Sequence, residues 1–218
     1  MTPGKAPTTI FSVRPSSLRN LGRLLAWIVF AGVAVASEDI SVSAVRFRTV
    51  TPVARNSGSW LEAEVMLAAT PVAGRTVNRV GVELTVGFEL PGAATPAGSS
   101  EKRVDYYRAA AECVALESGR TGVRFYLPPE LVKRDQLHGD PKFWSVALAV
   151  GGKPVAAGRA NWAIALADDA ARKGFQASAL AAAPANDGLF QPQYLTPFAL
   201  EYPRTTPSFV RREAVAPR

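Results

Sequence analysis

Between Arg79 and Leu90 the chain alternates with a period of two. Val80, Val82, Leu84, Val86, Phe88 and Leu90 fall on one face, with Arg79, Glu83, Thr85 and Glu89 on the other. Successive side chains of a strand point to opposite sides, so this pattern predicts a half-buried antiparallel strand and is incompatible with a helix. The segment Trp60 to Leu67 repeats the pattern, with Leu61, Ala63, Val65 and Leu67 inward and Glu62 and Glu64 expected to face water. In residues 39–50, Ile40 and Val42 are in phase, then Val45 and Phe47 shift phase, as a bulge or a change of sheet does. Residues 104–116 fit helix or strand by composition; the Tyr106-Tyr107 pair and the β-rich neighbours favour strand. Residues 122–127 and 142–150 are further strands, and Gly151-Gly152 supplies a hairpin turn into a last strand over 153–166.

Seven strands without alternating helices predict an all-β, immunoglobulin-like β-sandwich over 37–167, with a small barrel as the runner-up. The Cys…Trp…Cys pattern of antibody domains is missing, so the general architecture alone follows. The connections read as loops, with one helical turn where Pro128-Pro129 opens the run to Val132. From residue 168 the character changes. Asp168 and Asp169 cap a helix to about Ala182, and six prolines from Pro184 onward exclude regular structure. The tail carries Phe190, Tyr194, Leu195, Phe198, Tyr202 and Phe209, whereas a disordered linker is poor in aromatics. It therefore lies extended along a surface, its own or a partner's. The first five of those residues are the candidate partner-contact set.

Residues 24–36 form an uncharged apolar run, preceded by Lys5, Arg14, Arg19 and Arg23 and ending in Ala34-Val35-Ala36. That is the pattern of a secretory signal peptide over 1–36. The run is shorter than the roughly 20 apolar residues of a membrane span, so the expectation is cleavage after Ala36 and a mature form with no integral span, the alternative being an uncleaved, tilted N-terminal anchor. The leader holds four of the 25 basic residues and none of the 18 acidic ones, so the remainder carries +3. This charge, without a dense cluster of Lys and Arg, implies no nucleic-acid partner. The single cysteine, Cys113, excludes an internal disulfide and reads as a small buried hydrophobe.

No motif for catalysis, cofactor or metal emerges. His138 is the sole histidine and lies in a polar loop, short of the three or four ligands of a transition-metal site. No G-x-S-x-G, H-E-x-x-H, phosphate loop or dinucleotide fingerprint is present. Glu62 with Glu64 is better explained as solvated sheet surface than as an acid pair. Aromatics at Trp60, Tyr106 and Tyr107 offer a sugar-stacking platform if they cluster at the surface.

Three runs carry a resemblance: VDYYRA at 104–109, VRFYLPPELVKRD at 123–135 and NDGLFQPQYLTPF at 186–198. With them the chain resembles the pilus-like secreted proteins of verrucomicrobia, whose fold is an immunoglobulin-like sandwich associated with type IV pilus-type genes. The resemblance spans about residues 39 to 200. It implies a non-enzymatic structural or assembly role at the periplasm or cell surface, with envelope proteins as partners and no cofactor. Ala34-Val35-Ala36 suits ordinary signal peptidase, not a prepilin junction with a retained helix. Recognition has two routes: a partner's strand added to an exposed edge, or the aromatic tail in a neighbour's groove, the tail being favoured. The alternative function is a secreted ligand- or carbohydrate-binding sandwich module.

Overall fold

Inward-facing valines and leucines at alternate positions can leave water only if a second sheet covers them, and two sheets form. The computed structural model describes residues 39–53, 58–72, 74–90, 103–137, 139–182, 185–201 and 205–211. The signal-peptide segment 1–36 lies outside them. Strands β1 (Ile40–Val50), β2 (Trp60–Ala69), β3 (Val77–Glu89), β4 (Val104–Leu116), β5 (Gly119–Leu127), β6 (Phe143–Val150), β7 (Lys153–Pro154) and β8 (Gln191–Pro192) build it. They form two four-stranded antiparallel sheets, ordered β1-β2-β5-β8 and β4-β3-β6-β7.

β3 is the central strand of the second sheet. Leu84 lies between Ala109 of β4 and Val146 of β6. Its predicted inward residues Val80, Val82, Leu84, Val86 and Phe88 are all buried. They meet Val65, Leu67, Val123 and Phe125 of the first sheet in one core cluster. The phase shift in β1 is a bulge between Val42 and Ala44, where the displaced Ser43 hydroxyl donates to the Met66 carbonyl at 3.0 Å. The segment 104–116 is strand, as its aromatics favoured.

Gly151 and Gly152, at φ +56° and +81°, make the expected two-residue turn, which L residues adopt only with strain. The strand expected over 153–166 stops at Pro154, which corrects that expectation. Proline has no N–H to continue the ladder, and a 3₁₀ turn at Arg159–Asn161 follows. There the buried Asn161 side chain donates to the Val146 carbonyl (2.9 Å) and accepts from the Gly158 amide (3.0 Å). One side chain thus does the pairing that a longer strand would have done. Contact with β6 resumes at a single bridge, Ser145 to Trp162, where the Ala163 amide reaches the Trp144 carbonyl.

Helix α1 (Pro129–Arg134) has proline in its first turn, as anticipated. Helix α2 (Asp169–Ala182) is capped by the Asp168 carboxylate, which accepts from the Ala171 amide at 2.8 Å. α2 presses Phe175 onto the outer face of the second sheet, against Tyr106 and Phe143 at 5.7 and 6.3 Å between ring centres. Gly87 makes room for it, since a Cβ there would lie 3.3 Å from the Phe175 ring and 3.1 Å from Val104.

Candidate functional site

The outer face of the first sheet carries two rows of polar side chains set by strand register. Arg48, Glu62 and Tyr126 are opposed across β1, β2 and β5; Arg46, Glu64 and Arg124 form the next row. Alternation places Glu62 and Glu64 on this face, but they are not in water: they are 3% and 8% exposed. Glu62 accepts from Arg48 Nε at 2.6 Å and from the Tyr126 hydroxyl at 2.9 Å. Glu64 accepts a short hydrogen bond from Arg124 Nη2. Arg124 Nη1 donates to the Thr206 hydroxyl at 2.9 Å, whereas its buried Nε has no hydrogen-bond partner among the described residues. The Glu62 bond raises Arg48 above its ordinary value. Burial, then Glu62, pushes the Tyr126 hydroxyl well up. Gly122 is part of the arrangement, because a Cβ there would sit 2.8 Å from Glu64 Oε1. Both carboxylates are held by guanidinium groups. This network is a fastening.

What covers it is the tail. Phe190 goes instead into the core between the sheets, buried against Phe125 at 5.7 Å. Phe198 is buried too, stacked on Tyr126 at 4.3 Å and edge-on to Trp60 at 5.7 Å. Tyr194 is half-buried against Phe209 at 5.2 Å. Leu195 is 64% exposed, as is its neighbour Leu200 at 84%. Tyr202 lies outside the described residues. The bends are fixed locally: Gln193 Nε2 donates to the Phe198 and Glu201 carbonyls, and the Thr196 hydroxyl accepts from the Phe198 amide. The extended form expected of this tail holds only in part, since 3₁₀ turns occupy Gln193–Leu195 and Pro197–Leu200. Beyond them, residues 205–211 act as a strap between the sheets. The Thr205 carbonyl accepts from Gly122 of β5, the Ser208 carbonyl accepts from Val114 of β4, and the Val210 amide donates to Glu112. Sequence reasoning missed this strap. Its one visible signal was Phe209, an aromatic with no periodic context.

The other sequence candidates are dispersed. Trp60 is buried under Phe198, Tyr107 is fully buried, and Tyr106 packs on α2. The sugar-stacking platform expected of Trp60, Tyr106 and Tyr107 is therefore not formed, because all three rings pack within the fold. The Tyr107 hydroxyl donates to Asp135 Oδ2 at 2.5 Å, and Arg134 clamps the same carboxylate at 2.6 and 2.7 Å. Arg134 and then Tyr107 hold Asp135 below the ordinary carboxylate range, while burial and Asp135 push Tyr107 up. Cys113 is buried as read, its thiol pushed up to about 12 by desolvation. His138 lies outside the described residues; among those described, no three His, Cys, Asp or Glu side chains gather as a metal site. A cavity of about 250 Å³ beside α2 is lined by Glu83, Arg108, Ser145, Phe175 and Leu180. Its Arg108 lies 3.8 Å from Glu83 and 3.9 Å from Asp187.

The strand edges differ in how they are finished. β5 is covered by β8 and Thr205, β6 by β7 and residues 155–163, and β4 from Glu112 to Val114 by Ser208 to Val210. The outer edge of β1 has no backbone partner among the described residues. Nor is any helix among them long and apolar enough to cross a membrane.

No family model and no curated protein matches the chain. Among solved structures, a crystal structure from Akkermansia muciniphila is similar, with a TM-score of 0.53 and 16% identity. The match covers 80% of this chain and 94% of that one. At that identity the likeness is one of fold.

Proposed function

We propose that this chain is an exported, non-enzymatic structural and interaction protein of a pilus-like envelope assembly, at the periplasm or cell surface, with envelope proteins as partners and no cofactor. One observation carries the reading. The outer-face carboxylates, arginines and aromatics are engaged in closing the sandwich, while the outer side of the eleven-residue β1 has no backbone hydrogen bond among the described residues. An unpaired strand edge is a template for pairing with another chain. The apolar leader, the run resemblance and the fold shared with a protein of a verrucomicrobium support the same reading. The tail contributes chiefly by holding its own domain, with Leu195 and Leu200 as the exposed apolar side chains it offers to a neighbour.

The test is photo-crosslinking in cells from three positions on different faces, Arg46, Leu180 and Leu195, with fractionation of the product. Crosslinks to pilus-type components in an envelope fraction are expected. A cytoplasmic protein, or one without crosslinks from any position, would overturn the reading.

A further inference from the structure

The assembly reading leaves open which surface docks and what it accepts; the following inference rests on that reading. β1 is a long strand hydrogen-bonded on one side to β2; its other side has no backbone hydrogen bond among the described residues, and the 3₁₀ turn Arg159–Asn161 lies beside the strand without pairing to it. Past the bulge its register with β2 is continuous from Ala44 to Val50, which leaves a straight row of backbone donors and acceptors. Along the inner face of that row, Val45 and Phe47 are only half-buried, and Phe47 leans on Trp144 at 6.5 Å. Along the outer face stand Arg46 and Arg48, both exposed. Arg48 engages Glu62 through Nε while 57% of its side chain stays accessible; Arg46 makes no ion pair among the described residues.

We propose that this edge receives an extended acidic segment of a partner protein, which adds to the first sheet as a further strand outside β1. Strand addition takes its affinity from the main-chain ladder and its specificity from alternate side chains. Two arginines two residues apart are about 7 Å apart along one face. They match a segment with acids at alternate positions and apolar residues between them. The apolar residues would complete the half-covered rim at Val45, Phe47 and Trp144. A second copy is the poorer occupant, since pairing two such edges gathers four arginines on one side of the joint sheet.

The test uses the ¹⁵N-labelled full chain and a short synthetic peptide of alternating valine and glutamate, at a neutral pH where the peptide's own charges keep it single. Expected are amide shifts and slowed exchange confined to Ala44–Val50 and the facing β2 residues, weakening with salt. Arg46→Glu should melt like the parent yet bind about fivefold more weakly, as loss of an exposed charge pair implies. A valine–lysine peptide should prefer the Arg46→Glu variant. Four outcomes would overturn the proposal: shifts elsewhere or none, indifference to Arg46→Glu, a concentration-dependent dimer protecting β1 without peptide, or protected β1 amides in the peptide-free monomer. Failure here leaves the envelope reading standing if crosslinks from Leu180 or Leu195 persist, so the two are separable.

Discussion

Glu64 and Arg124 are charges on the outer face of a sheet, yet a strap covers them. Removing one partner of a covered pair strands the other charge away from water, so Glu64→Ala should cost about 3–5 kcal/mol, measured by urea unfolding. The exposed pair between Lys142 and Glu89 is the contrast: Lys142→Ala should cost under about 1 kcal/mol in the same assay. Alternation in β2 made the face of Glu62 and Glu64 legible, but it carries no information about what the distant segment at Thr205 and Thr206 lays over that face. The same limit applied to Trp60, whose exposure turned on where Phe198 lands. Cys113 was legible as a buried hydrophobe because its apolar surroundings are local. Its raised thiol should resist alkylation at pH 8 in the folded protein and react at once in denaturant, which a timed mass shift would show.

At the scale of elements, β3 was readable from Val80 to Phe88 because both its neighbours and its inner face demand one period. The segment after Gly151-Gly152 was not, because Pro154 and Asn161 replace a ladder by a side-chain contact that periodicity does not encode. The tail illustrates the opposite case. Its composition announced burial, but its partners are fixed by three-dimensional closeness: Phe190 to Phe125, Phe198 to Tyr126 and Trp60. Phe198→Ala should therefore cost about 3–5 kcal/mol, since a truncated buried aromatic leaves a cavity. Leu200→Ser, at an exposed site on the same segment, should stay within about 0.5 kcal/mol. Chemical denaturation followed by tryptophan fluorescence reads both. Equal effects would mean that the tail is not seated as described.

For the whole molecule, ionisation bounds stability on two sides. Asp135 is held below the ordinary carboxylate range by Arg134 and Tyr107. Its contribution is present above about pH 4 and is lost as pH falls through its lowered value. Tyr107 and Tyr126 are pushed up by burial and by their carboxylate partners. Their contribution is complete below about pH 10 and declines as pH rises beyond it. Thermal melts across pH should show a plateau with an acid and an alkaline fall. Asp135→Asn should flatten the acid limb, and Tyr126→Phe the alkaline one.

The strap from Thr205 to Val210 touches β5 at Gly122 and β4 at Glu112 and Val114, on both sides of the seam between the sheets. A ribosome delivers those residues after every long strand has already emerged. Until then Arg124 and Glu64 stay wet and the ends of the β4 and β5 edges stay unfinished. The last stretch to be made is thus the one that dries the ion pair and finishes both seams.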